Sequence, residues 1–410
     1  MIRSEIINCT IDSHPQRIQR VLLDQWKDLE FVFPRMTTAA LAETAHVYQT
    51  QMADVFPWYF GTLYLFRIPE ELPLPFDPGR DRLITAKHWL EHHWNLPEGR
   101  RFLSELSGHH CLHIINGKNP LRHSFIPYTE QTGFLSEIPS QLAVNSSFFT
   151  FDLLDADSPY DVFGTPFGLM VRNGTVLQPP LYDREALLVD SDGHVQIRTM
   201  GIRDVSCGIQ GMIYTRPQHR ITPQSSQTDL VIINDRIVDV RCGGKTHIPS
   251  SGYVISTDET NHRPGDPVLY ALPDSWCFGI QTGPAAVIDG APVSSFLSSY
   301  CHPLRPFEIK YPPSRYPLNY VKDRAARIAL GCDKESRPVL VWAEGLKQPG
   351  PDDSPGVSLK EFAEILCDLG LVQAVNLDGG GSAEILLDGK RYLRTAADSE
   401  RPVPAGLIIR

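Results

Sequence analysis

The sequence predicts an α+β fold of mostly antiparallel or mixed twisted sheets with a few packed helices, preceded by a mainly helical N-terminal region. Three observations carry this expectation. Apolar residues near the N-terminus recur at helical spacing. From about residue 140, short β-rich runs are joined by Asn-Gly and Asp-Gly pairs. One helix in the second half is signalled at both ends. The change of texture divides the chain into residues 1–130, a mainly helical region with no assignable role, and residues 131–410, an α+β domain.

In the first region, Ser13 can cap a helix with Pro15 in its first turn, and Ile18, Leu22, Trp26 and Leu29 follow as an apolar stripe. Thr37 to Met52 is a second helical candidate. A proline-rich break over 69–79 cannot continue a helix. Thr85 to Trp94 and Arg101 to Leu106 are short helical candidates beyond it.

In the second region, Asn173-Gly174, Asp192-Gly193, Asp289-Gly290 and Asp388-Gly389 each follow an apolar run. Such pairs tolerate the positive φ of tight hairpin turns, so antiparallel sheet is expected. Proline-rich loops at 303–317 and 348–355 interrupt it. Ser358 and Glu361 form a capping box, Phe362, Ile365, Leu366 and Leu369 make an apolar face, and Gly370 stands where a helix ends. Leu371 to Leu377 then reads as a buried strand.

Composition narrows the function classes. The formal net charge of −10 opposes a duplex nucleic-acid surface, which needs a basic face. No run approaches the roughly 18 apolar residues of a membrane span, and the first residues lack the apolar core of a signal peptide. The eight cysteines are scattered without a C-x-x-C pair. Free thiols and a cytoplasmic location are the expectation.

The strand ending at Leu377 runs directly into Asp378-Gly379-Gly380-Gly381-Ser382, and a hairpin follows. Three consecutive glycines weaken regular structure and need a reason. One is a tight turn. The other is a loop that approaches a ligand closely and offers N–H groups to an anion, with Asp378 held at its rim. The loop lacks the G-K-[ST] of a nucleotide-binding loop, and no helix follows it as a dinucleotide site requires.

These residues also carry a resemblance. Asn376 to Ser382 is similar to the signature of the phosphodiester glycosidase family, which includes an enzyme that removes N-acetylglucosamine from a phosphodiester on lysosomal glycans. Other segments match in order: Ala143 to Phe149, Thr165 to Gly174, Gly283 to Gly290, Arg327 to Gly331, Pro338 to Trp342 and Glu400 to Val403. Together they span about residue 140 to the C-terminus. The chain departs from the pattern at Ser146 and Ser147, where the family has paired glycines, and at Ala383 and Glu384, where it has Ser-Thr. It departs again at Ile328 and Ser399.

The resemblance implies a hydrolase that cleaves a sugar-1-phosphodiester to free sugar and phosphomonoester. A charged diester calls for a guanidinium clamp, and Arg327 and Arg401 are the candidates. Phosphate is a good leaving group, so the main need is a carboxylate for the oxocarbenium-like centre, with Asp378 first and Glu400 second. Asn145 would bond the sugar or phosphate. The amides of Gly379, Gly380 and Gly381, with Ser382, would hold phosphate oxygens. Alternatives are glycosyl transfer or hydrolysis on a nucleotide-sugar or cell-wall precursor, and a non-catalytic glycan- or phosphate-binding protein.

No cofactor is required. A divalent cation near Asp378, Glu384 and Glu400 is compatible with the chemistry, but no ligand spacing demands one. Six of the 14 histidines fall between His88 and His113, without an H-E-x-x-H pattern, so packed or surface histidines are the default.

Overall fold

The computed structural model describes residues 2–35, 62–65, 72–77, 85–86, 89, 92–93, 96–108, 112–117, 125–128, and 132–410 except 151–157, 159, 161–163, 217–218, 297–320 and 398–399. With 42% strand against 11% helix, the chain is a sheet protein rather than the α+β fold expected. The helical N-terminal region is overturned: the N-terminus is strand. Two α-helices are described in full, α1 (Pro97–Gly108), which contains the expected helix at 101–106, and α2 (Leu359–Asp368); the described residues of the 85–94 candidate are also helical. The candidate at 37–52 and the loop at 303–317 lie outside the described residues.

Seven strands, in chain order, build the central sheet: β1 (Arg3–Ile11), β2 (His14–Leu22), β3 (Ala285–Ile288), β4 (Ala291–Pro292), β5 (Arg327–Asp333), β6 (Pro338–Ala343) and β7 (Leu371–Asn376). In space they run β1-β2-β6-β5-β7-β3-β4, with every pairing antiparallel. The N-terminal hairpin is therefore an extension of this sheet, with Arg20 facing Val341 and Ile18 facing Ala343.

The reason for the N-terminal error is local. Residues four apart share a face in a strand as well as in a helix, so Ile18 and Leu22 do not discriminate. Ser13, read as a cap, instead sits at φ 66 after Asp12 at φ 46. Two consecutive positive-φ residues are the signature of a tight hairpin turn. The same geometry occurs where it was expected, at Asn173-Gly174, Asp289-Gly290 and Asp388-Gly389.

Both faces of the central sheet are covered. On one face α2 buries Phe362, Ala363 and Leu366 against Val287, Val339, Val341 and Ala374. Its capping box forms as the sequence implies, with Ser358 N donating to Glu361 Oε2 at 2.7 Å and Glu361 N donating to Ser358 Oγ at 3.3 Å. On the other face Ile328, Leu330, Leu340, Trp342 and Val375 meet Leu187, Val189, Phe278 and Ile280 of a five-stranded sheet. A second five-stranded sheet carries the Leu142–Asn145 strand between Ile385–Leu387 and Gly406–Ile409. A four-stranded sheet over 212–257 has its own core, and a three-stranded sheet pairs residues 62–65, 112–117 and 125–128.

The hairpin is locked to the sheet by a fully buried carboxylate. Glu344 accepts from Arg17 Nη1 at 3.3 Å, Arg394 Nε at 3.2 Å and Arg394 N at 2.9 Å. Its backbone N–H donates to Arg17 O at 2.9 Å, and Gln16 Nε2 donates to its carbonyl at 2.6 Å. Removing a buried ion partner leaves uncompensated charge, although both arginines here are half exposed. Glu344→Ala is therefore expected to destabilise the fold by about 2–3 kcal/mol at neutral pH, read by chemical denaturation; an unchanged midpoint would contradict this role.

Candidate active site

Because β5 is antiparallel to β6 and β7, the start of β5 and the ends of β6 and β7 share one sheet edge. The chain leaves β7 there. Leu377 N donates to Ile328 O at 2.8 Å, keeping the backbone on the sheet for one more residue. Asp378 N then donates to Ser146 O at 3.0 Å, stepping across to the segment after the Leu142–Asn145 strand.

Each glycine of the loop has a separate reason. A Cβ on Gly379 would lie 2.6 Å from Ala326 O. Gly380 has φ +58, which side chains other than glycine rarely adopt. A Cβ on Gly381 would run into the Arg401 guanidinium, which packs against the bare backbone. Gly380 to Ser382 then form a single 3₁₀ turn. The expected nest is partly taken up within the protein: Gly379 N donates to Asp378 Oδ1 at 2.9 Å and Gly380 N to Ala326 O at 2.8 Å.

Asp378, Ser382 and Arg401 converge at this turn. The Ser382 hydroxyl accepts from Arg401 Nη1 at 3.1 Å and favours the charged form of the Asp378 carboxyl. Burial pushes the Asp378 carboxyl up to about 6; the Arg401 charge, the Ser382 hydroxyl and the Gly379 amide hold it below where burial alone would leave it. A carboxylate poised near neutrality beside a cation is a common catalytic arrangement.

Asn145 and Arg327 sit differently from their expected roles. Asn145 is buried, its Nδ2 donating to Asp378 O at 2.7 Å and its Oδ1 accepting from Glu384 N at 2.9 Å. It clips together the two ends of the glycine loop. Arg327 is also buried, with Nε donating to Val357 O at 3.3 Å and Nη2 to Asp323 O at 2.8 Å. Its guanidinium braces backbone carbonyls ahead of β5 and α2.

Glu384 and Glu400 form a second acidic group. Glu400 Oε1 accepts from Ser136 N at 3.0 Å, and Ser136 Oγ donates to Oε2. Glu384 is buried, and Arg391 Nε donates to its Oε1 at 2.7 Å. Burial, then the Glu400 charge, push the Glu384 carboxyl up to about 7 against the pull of Arg391. The Glu384–Arg391 pair had a sequence signal. The Asp388-Gly389 turn sets Leu386 opposite Arg391, so Glu384 lies one diagonal away on the same face. The Ser146 and Ser147 hydroxyls are buried without a hydrogen-bond partner among the described residues, next to the carbonyl that receives Asp378.

This donor set does not suit a divalent cation. Asp378 faces Arg401 and Glu384 faces Arg391, so arginines already supply the positive charge. Among the described residues, one group of metal-ligating type gathers elsewhere: Asp190, Asp192 and His194, within 4.8 Å on an exposed turn. There Asp190 Oδ1 accepts the Asp192 and His194 amides, each at 2.9 Å. Of the histidine-rich stretch, His88, His109 and His110 lie outside the described residues, and His93 Nδ1 is 2.8 Å from Trp89 O. The described cysteines are free, and among the described residues no helix is long and apolar enough to cross a membrane.

Known proteins resemble parts of this chain. The mouse and human N-acetylglucosamine-1-phosphodiester alpha-N-acetylglucosaminidases are each 40% identical to it over 70 residues, 17% of this chain and 13% of theirs. The match thus spans about an eighth of the length of these curated relatives. A solved structure, described as a hypothetical protein from Synechocystis, aligns over 100% of this chain and 62% of that chain at 16% identity with a TM-score of 0.47. Residues 204–410 match the family model described as phosphodiester glycosidase, and with half of its length so matched, the chain belongs to that family.

Proposed function

We propose that the protein hydrolyses a glycosyl phosphodiester, with N-acetylglucosamine as the sugar, to free sugar and a phosphomonoester. The observation that carries this reading is the Arg401 guanidinium packed on Gly381 and bonded to the Ser382 hydroxyl at the glycine turn that starts from the buried Asp378 carboxyl. Family membership and the named activity of the relatives support the substrate class.

The roles follow from charge. Arg401, with Ser382, holds the anionic phosphate. Asp378, ionised, stabilises the positive charge that develops on the anomeric carbon. The anomeric C–O bond breaks with its electron pair leaving on the phosphate, and water supplies the new oxygen and releases a proton to the medium. A phosphomonoester with second pKa about 6 leaves without strong protonation, so one ionised carboxylate suffices for the difficult part.

Turnover on an N-acetylglucosamine-1-phosphodiester is therefore expected to rise as pH increases through about 6, as Asp378 loses its proton. Asp378→Asn is expected to reduce kcat by about 10³-fold or more. The folded-state pKa is raised, so the stability contribution of Asp378 is full below its unfolded value near 4 and is lost as pH rises through about 6. The same variant should thus gain about 2–3 kcal/mol at pH 7.5 and almost nothing at pH 4, measured by denaturant titration. Full turnover in Asp378→Asn would sink the assignment, and product analysis showing binding without release of sugar would favour a non-catalytic glycan-phosphate receptor.

Arg401→Ala is expected to raise KM by about 10²-fold through loss of the phosphate clamp. It should also move the acid limb of the pH profile upward, because Asp378 loses the cation that favours its charged form. A KM increase with an unmoved acid limb would place Arg401 away from Asp378 in the working enzyme.

A further inference from the structure

We infer that the outer edge of β1 docks a second copy of this chain, the two β1 strands pairing antiparallel about a two-fold axis at Ile7. The inference stands apart from the reaction proposed above.

The two edges of the central sheet differ. One is β4, two residues long and ending in Pro292. Shortness and proline are how proteins blunt an edge against further pairing. The other is β1, nine residues with no proline, lysine or bulge, paired in unbroken register with β2. Among the described residues nothing bonds to its outer side. The one other edge strand of that length among the described residues, Arg236–Gly244, is interrupted by register shifts. Helix α2 packs over β3, β4 and β7, toward the far edge of the sheet, and leaves the β1 edge clear.

The turn fixes which backbone groups face outward. Asp12 and Ser13 make a two-residue turn that sets Ile11 opposite His14. Residues flanking such a turn exchange both hydrogen bonds, and bonded and unbonded pairs then alternate along the ladder. Arg3, Glu5, Ile7, Cys9 and Ile11 therefore bond to β2. Pro15, which has no N–H, falls opposite Thr10 in the unbonded class. The N–H and C=O groups of Ser4, Ile6, Asn8 and Thr10 point away from β2, and these residues are exposed.

Self-complementarity selects the occupant and the register. With Ile7 on the axis, Ser4 meets the partner's Thr10 and Ile6 meets the partner's Asn8. Every outward-facing residue of both strands is then paired, whereas a slip of two residues leaves Ser4 or Thr10 alone. Residues directly opposite each other point to the same face. Ile7, Cys9 and Ile11, half-buried against the core under α2, thus continue into the partner's Ile7. Charge agrees with this arrangement. Arg3 lies opposite the partner's Ile11, beside the turn that carries the partner's Asp12, and Glu5 lies opposite the partner's Cys9, so no like charges meet. A parallel arrangement would set Arg3 beside Arg3 and Glu5 beside Glu5.

The test is the oligomeric state of the full chain, by sedimentation velocity across a dilution series, with two variants. The wild type is expected to sediment as a dimer that dissociates on dilution. Asn8→Pro removes an outward N–H and spares the β1–β2 bonds, as proline on an edge strand can; it should sediment as a monomer. The Ile6 amide should be protected from hydrogen exchange in the wild type and exchange freely in Asn8→Pro. Opposed residues of the unbonded class approach to about 4.5 Å between Cα atoms, within reach of a disulfide. Ile7→Cys should therefore cross-link as a dimer on a non-reducing gel, while the wild type, whose Cys9 faces the partner's Glu5, should not. A wild type that is monomeric at every concentration, a dimer that survives Asn8→Pro, or an Ile7→Cys dimer without the cross-link would each overturn the inference. Should Asn8→Pro fail to fold, the Ile7→Cys cross-link decides alone.

Discussion

The structure depends on placing a carboxylate, stripped of water, at the end of a buried strand. β7 carries Val375 and Leu377 into the main core, and one residue later the chain must present Asp378. Burial alone would keep that carboxyl protonated. The protein answers with a serine hydroxyl, a backbone amide and an arginine. The glycines make the answer possible: side chains there would collide with the Ala326 carbonyl and the Arg401 guanidinium. The triple-glycine run is thus a steric requirement of bringing a cation and a carboxylate to one turn. Its bonds to Asp378 and Ala326 make it a rigid seat and only in part an anion nest.

Rigidity is imposed from three directions. The Asn145 amide clips Asp378 to Glu384 from the neighbouring sheet. Arg327 braces the carbonyls of Asp323 and Val357 behind the start of β5. On a third side, Glu400 accepts from Ser136 N and Val403 pairs with Gly133 through the backbone. Groups held in this way need little reorganisation when charge develops on a substrate, which is the main source of electrostatic catalysis. The buried acid also lowers stability at neutral pH, the usual trade between a working site and a stable fold.

Much of the second half was legible because its signals are local. The Ser358–Glu361 capping box, the Gly370 end of α2 and the Asn-Gly and Asp-Gly turns each act within a few residues. The strand-to-glycine junction at Asp378 was legible for the same reason. The N-terminal hairpin was not, because Ile18 and Leu22 satisfy both periods, and the deciding contact is with β6, more than three hundred residues away. The roles of Arg327 and Asn145 were hidden similarly. A guanidinium and an amide are phosphate and sugar ligands by type, but here backbone carbonyls accept from them, those of Asp323 and Val357 from Arg327 and that of Asp378 from Asn145. Glu384 was legible as a departure from the family pattern and as an acid set near Asp378 and Glu400; its burial comes from the tertiary fold.

The most direct test of the central claim is a crystal structure of the protein soaked with N-acetylglucosamine-1-phosphate. The account expects phosphate oxygens within hydrogen-bonding distance of the Arg401 guanidinium and the Ser382 hydroxyl, with the anomeric carbon facing the Asp378 carboxylate. A sugar phosphate bound elsewhere, with the Asp378–Ser382–Arg401 turn unaltered and empty, would contradict it.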